Sequence, residues 1–151
     1  MTGAPTVRPV MFAYDGSDLA KMAIAEAAGV VNHGCEALVL TVWQPFNVGF
    51  LSPRELRIDA AAADEVRAAA EQTAAQGATL AEEAGFEPRS IAVEAAPTWK
   101  GIVEAADNHD ACLIVLGSHG RTGLASVLIG SVAEAVAAHS RRSVLIVHRR
   151  E

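Results

Sequence analysis

Hydrophobic residues along the chain fall into short unbroken runs separated by longer stretches with helical spacing. Val10–Tyr14 reads as a first strand that stops at Asp15-Gly16-Ser17. Ser17 then suits the N-cap of a helix carrying Leu19, Ala23, Ile24, Ala27 and Ala28 inward, closed by Asn32-His33-Gly34. Ala37–Trp43 is a second strand, apolar on both faces, and Gln44–Ser52 interrupts the pattern with Pro45 and Gly49. Ser52-Pro53 opens a long helix running to about Ala84 and stopped by Gly85. Its inner stripe is Leu56, Ala60, Ala63, Val66, Ala70, Ala74, Gly77, Leu80/Ala81 and Ala84, which predicts close backbone packing. Ile91–Ala95 is a third strand, followed by a helix over Pro97–Asp107 with Thr98 as cap. Cys112–Leu116 has no polar alternation, as in a central parallel strand covered on both faces. Ser131–His139 is a last helix and Val144–Val147 a fifth strand.

Strictly alternating strands and helices predict an α/β fold: one doubly wound, five-stranded parallel sheet with helices on both faces. No repeat, linker or low-complexity segment divides residues 1–151, so a single domain is expected.

Composition changes this picture in two ways. Hydrophobic residues make up 51% of the chain, but 31 of them are alanine, so the core depends on the Val/Leu/Ile clusters. The balance of 12 Lys+Arg against 18 Asp+Glu gives a net charge of −6, and the longest basic runs are the pairs at 141–142 and 149–150. That balance argues against nucleic acid as a partner, while leaving room for an anionic ligand held by backbone N–H groups. No apolar run is long enough to span a membrane and the N-terminus lacks a signal core, so a cytoplasmic location is expected. Cys35 and Cys112 form no CxxC, and read as buried thiols in a reducing compartment. The five histidines show no metal-binding spacing.

The candidate chemistry follows the fourth strand, at the end of the sheet where doubly wound folds bind ligands. There the chain reads Gly117-Ser118-His119-Gly120, and after nine further residues Gly130-Ser131-Val132. Gly117 and Gly120 allow close approach of a bulky ligand and turns with positive φ. Gly130-Ser131 opens the last helix, whose unpaired N–H groups and dipole favour phosphate oxygens, and Ser131 adds a hydroxyl. Neither GxxxxGK[ST] nor a GxGxxG after the first strand is present.

Gly-x2-Gly-x9-Gly-Ser after Leu-Ile-Val-Leu, the closing Ser-Val-Leu-Ile-Val and the turn Tyr14-Asp15-Gly16-Ser17 together resemble the ATP-binding branch of the universal stress protein family. The resemblance runs from about Pro9 to His148. It implies a Rossmann-like sheet that binds ATP and that forms homodimers; Mg²⁺ is expected with the phosphates, to screen their charge. It further implies that Asp15 lies near the adenosine and Val42 against the adenine, with Gly117, Gly120, Gly130, Ser131 and Val132 shaping the phosphate pocket. His119 and Arg121 occupy variable motif positions and are candidates only. Asp15 has a second reading as a local turn residue, and Ser131 as a helix cap. His119 and Arg121 have plain exposure as theirs. The family often carries proline before the last strand, where this chain has Arg142-Ser143, and Trp99 is large for the start of the third helix. No base stands beside Arg121 and no Walker lysine exists, which favours a nucleotide-dependent regulatory module over a slow ATPase. A nucleotide-free interaction scaffold is the remaining alternative. The dimer is expected to pair Val144–Val147 with its symmetry mate, gathering Arg141-Arg142 and Arg149-Arg150 near the two-fold axis unless acidic groups meet them.

Overall fold

Ser17 starts the first helix as its spacing demands. Its backbone is extended, and its Oγ accepts the Ala20 N–H at 3.2 Å. In the computed structural model, which describes residues 7–32, 34–44, 53–120 and 129–150, nine elements follow in alternation. They are β1 (Val10–Ala13), α1 (Asp18–Ala27), β2 (Glu36–Trp43), α2 (Pro53–Glu83), β3 (Glu87–Glu94), α3 (Thr98–Asn108), β4 (Leu113–Gly117), α4 (Ser131–His139) and β5 (Ser143–Val147). All strand pairs are parallel, in the order β3-β2-β1-β4-β5. The chain winds outward from β1 to β3, then crosses back to place β4 on the other side of β1. The strand order therefore reverses between β1 and β4.

Two apolar layers hold this sheet. On one face Val10, Phe12, Tyr14 and Val39 pack against Ala23, Ile24 and Ala27 of α1 and Ala81 of α2. On the other, Met11, Leu38, Leu40 and Ile114 meet Ile102 and Ala106 of α3 and Val136 of α4. Successive residues of β1 thus face opposite layers, which explains its unbroken apolar run. Among the described residues, no helix is long and apolar enough to cross a membrane.

Several expectations need correction. α1 ends at Ala27, and Gly34 (φ 80°) serves the turn into β2 instead, donating its N–H to the Gly85 carbonyl. α2 spans 31 residues, or about 46 Å at 1.5 Å per residue. That exceeds the strands beneath it, so Ala60 is exposed and burial begins at Ala70, Ala74 and Ala81. Leu56 falls among side chains outside the described set. Gly77 does admit close packing: a Cβ there would stand 2.7 Å from the Tyr14 ring and 2.8 Å from Val39. Gly85 (φ 99°) terminates α2 with Phe86 N–H on the Ala81 carbonyl and Gly85 N–H on that of Glu82, the paired bonds of a Schellman motif.

β3 begins at Glu87, four residues before the apolar run, because its ladder to β2 does not require burial at this edge. Thr98 is the first residue of α3 rather than its cap. Pro97 holds the cap position without a side-chain bond, and Thr98 Oγ1 instead accepts from Gln44 Nε2 at 3.1 Å. Cys112 is exposed and Cys35 half-buried, so the expected burial of both thiols fails. Cys112 precedes β4 at the sheet's rim, where its N–H reaches the Pro9 carbonyl. Trp99 stacks on His139 of α4, with ring centroids 4.3 Å apart.

At the N-terminal ends of the strands Arg142 acts as a clasp. Its guanidinium donates to Asp107 at 3.0 Å, to Asp110 at 2.7 Å and to the Ala111 carbonyl at 3.0 Å. Arg8 pairs with the same Asp110 carboxylate at 3.1 Å. The hydrogen bond from Arg142, aided by the charge of Arg8, holds the Asp110 carboxyl below its ordinary value. Arg150 pairs with Glu26. Acidic groups thus meet Arg142 and Arg150, and these two do not form the unopposed basic cluster expected at β5.

Candidate nucleotide site

The reversal point between β1 and β4 opens into a cavity of about 540 Å³ at the C-terminal ends of these strands. Its floor is apolar, formed by Ala13, Leu40, Val42, Ile102 and Leu116. Its other end is polar and rich in backbone, with Ser118, His119, Gly120, Gly130 and Ser131. The volume lies within the range of small-molecule sites, and an apolar body with one polar end suits an amphipathic ligand.

Of the residues singled out in the sequence, Asp15, Val42, Gly117, His119, Gly120, Gly130, Ser131 and Val132 all line this cavity. Arg121 lies outside the described residues. Asp15 retains its turn role as well: Oδ1 accepts the Ser17 N–H at 2.9 Å, beside Gly16 at φ 81°. The carboxylate's other oxygen faces Gly120, where a Cβ would stand 2.7 Å from it. Thr41 Oγ1 donates to the Tyr14 carbonyl at 2.9 Å and secures the end of β1 from below.

The three motif glycines act through space and not through positive φ, contrary to expectation at Gly117 and Gly120; among the described residues the left-handed glycines are Gly16, Gly34 and Gly85. A Cβ on Gly117 would meet Leu19 Cγ at 2.9 Å, so this glycine admits α1 against β4. A Cβ on Gly130 would meet the Ser118 carbonyl at 2.6 Å. That approach is required by the hydrogen bond from Gly130 N–H to the same carbonyl, 2.7 Å long.

Gly130, not Ser131, is the N-cap of α4, and it offers no side-chain capping bond. Ser131 is the first helical residue and is exposed, with Val132 beside it 37% exposed and Ile129 44% exposed at the cavity rim. The first-turn N–H groups of a helix have no intrahelical partner and carry partial positive charge. Here they open beside the polar end of the cavity.

Ser118 was not among the residues singled out, although it stands inside the quoted motif. It is 2% exposed and joins three elements. Its N–H donates to Val147 at the end of β5, its carbonyl receives Gly130 N–H at the start of α4, and its Oγ lies 3.1 Å from His119 Nδ1. The floor residues Leu40, Leu116 and Ile102 were also missed as site residues. Their only sequence signal is apolarity, which they share with the rest of the core.

No group of three or more His, Cys, Asp or Glu residues that could hold a metal ion occurs among the described residues. Asp15 is the carboxylate among the described lining residues, so this wall supplies no ready cation cage.

Known proteins share this sheet and much of its sequence. The chain is 31% identical over 144 residues to a universal stress protein of Thermus aquaticus, covering 93% of this chain and 98% of that one. It is 39% identical over 69 residues to universal stress protein MJ0577 of Methanocaldococcus jannaschii, a stretch spanning 46% of this chain and 42% of the relative. The solved structure of protein MJ0577 superposes with a TM-score of 0.81 at 24% identity, over 96% of this chain and 98% of that one. A universal stress protein solved in complex with cAMP is 27% identical with a TM-score of 0.63, over 94% and 97% of the two chains. With the universal stress protein family model matching residues 6–148 on top of this shared sheet, the chain belongs to the universal stress protein family.

Proposed function

We propose that this chain is an ATP-binding regulatory module of the stress response, a single domain in which nucleotide occupancy favours one conformation or dimer state. One observation carries the proposal: the cavity at the strand reversal joins an apolar floor to a glycine-bounded helix N-terminus. An adenine ring fits the floor against Val42, Leu40 and Ile102, with Asp15 at the adenosine end. The phosphates extend past Gly120 and Gly130 to the N-terminus of α4, where Ser131 adds its hydroxyl. Val132 and Ile129 cover the rim. The relative holding cAMP supports an adenine nucleotide as the ligand class. Mg²⁺ would enter with the phosphates, since the described lining residues include no carboxylate cluster.

The motif offers Arg121, outside the described residues, but no base beside it in the sequence, and the chain has no Walker lysine. Phosphoryl transfer needs a cation on the terminal phosphate and a group that positions water, so binding is favoured over turnover. Single-turnover phosphate release is expected to be very slow; rapid hydrolysis abolished by Ser131→Ala overturns the binding-module assignment.

Native mass spectrometry of gently purified protein tests retention of an adenine nucleotide and dimerisation together. Calorimetry with ATP then measures affinity. No retained nucleotide and no binding heat would leave the interaction scaffold as the better account.

A further inference from the structure

The Ser118–His119 pair is not explained by the fold alone. Ser118 already has its backbone committed to β5 and α4, yet its buried hydroxyl also engages the half-buried His119 ring through Nδ1. The opposite edge of that ring lies against the start of α4: Cδ2 is 3.4 Å from where a Cβ on Gly130 would stand. Nε2 is bonded to Cδ2, so it belongs to the edge beside the helix N-terminus and the cavity.

Resting on the nucleotide assignment above, we infer that His119 is a specificity-determining residue that reads ligand phosphate through Nε2–H, with Ser118 as its positioning residue. A serine hydroxyl both donates and accepts. It can donate to Nδ1 of the neutral ring, which puts the remaining proton on Nε2. It can equally accept from Nδ1–H of the imidazolium. In both states a phosphate at the α4 N-terminus meets an N–H donor, and in the imidazolium it also meets a positive charge.

The consequence is a proton linkage. Phosphate favours the protonated ring, so ATP binding takes up a proton and affinity falls as pH rises; adenosine, lacking phosphate, shows neither effect. Among the elements packed here, α1 carries Asp18, Lys21 and Glu26, α3 carries Lys100, Glu104 and Asp107, and α4 carries Glu134 and His139, while Asp15 follows β1 and His148 follows β5. Arg121 lies outside the described residues. All are present with and without ligand, so a difference between ATP and adenosine that His119→Gln removes belongs to His119.

Calorimetry of the full chain at about pH 5.5 and about pH 8, in buffers of different ionisation heat, tests this. Glutamine supplies a neutral N–H donor but cannot carry the charge. His119→Gln is therefore expected to weaken ATP binding, and to do so about tenfold more near pH 5.5 than near pH 8. The ratio cancels the titration of ATP itself. Ser118→Ala is expected to lose ATP affinity near pH 8 and recover towards pH 5.5, because the imidazolium keeps Nε2–H without help; a merely structural defect would not recover. Equal ATP affinity of His119→Gln and the unmodified protein at both pH values overturns the role of His119 while leaving the nucleotide site intact. So does proton uptake that persists in His119→Gln and disappears in His148→Gln. Absence of ATP binding in the unmodified protein overturns both.

Discussion

Gly120 and Gly130 belong to one motif but obstruct a side chain in different ways. At Gly120 the neighbour is the Asp15 carboxylate, a side chain that can rotate aside; at Gly130 it is the Ser118 carbonyl, which is backbone. Gly120→Val is therefore expected to fold normally and to lose ATP affinity by intruding on the cavity, checked by calorimetry beside a circular dichroism melt. Gly130→Val must displace the start of α4, so it is expected to lower both affinity and melting temperature. Gly117→Ala differs again, since its Cβ meets Leu19. Overpacking of this kind costs about 1–3 kcal/mol, to be read in urea denaturation. At the far end of the sheet, Asp110 titrates lower in the folded chain than in the unfolded one. Its contribution to stability is thus complete above the ordinary carboxylate range and is lost as pH falls through the depressed folded value. Asp110→Asn keeps a residue suited to φ 50° but removes the charge. Its melting temperature is expected to fall less than that of the unmodified protein over this acid range.

Among the elements, α2 shows how small residues position a long helix. Ala70, Ala74, Gly77 and Ala81 form its buried stripe, and Gly77 lets Tyr14 and Val39 reach the helix backbone. Tyr14 is the residue immediately before Asp15, so this packing also anchors one wall of the cavity. Gly77→Val is expected to destabilise the fold by about 1–3 kcal/mol in urea and to weaken nucleotide binding secondarily. β5 presents the opposite problem. It lies at the sheet edge with Val144, Leu145 and Ile146 only partly buried. Unpaired edge groups invite another strand, and an isologous pair of β5 edges satisfies them.

For the whole molecule, a homodimer through β5 is the expected assembly. Sedimentation of the unmodified protein at micromolar concentration checks it, and a folded monomer sinks it. Arg142 and Arg150 pair with acidic groups within the chain, Arg150 while 82% exposed, and Arg141 and Arg149 are exposed beside them. The salt sensitivity of the dimer is accordingly expected to be modest. Ligand binding should also register globally. ATP at about a hundred times its Kd adds about 2.7 kcal/mol to stability by mass action, a rise of several degrees in melting temperature; adenosine at equal saturation should do the same.

The alternation of elements, the central character of β4 and the place of the glycine motif after it were legible from the chain alone. Apolar runs and helical spacing are local, and the glycines stand at fixed distances along the sequence. Tertiary structure decided what depends on neighbours distant in the chain. Pairing with β2, not burial, set the start of β3, and the length of the sheet determined where the stripe of α2 becomes buried. The approach of Leu19, Asp15 and the Ser118 carbonyl made three glycines necessary at negative or extended φ, a reason no spacing reveals. Arg142 reads in sequence as one of a basic pair, yet three acceptors from residues 107–111 enclose it. Ser118 reads as a motif spacer, yet it links β5, α4 and His119, because hydrogen bonds between strand ends exist only once the sheet has formed.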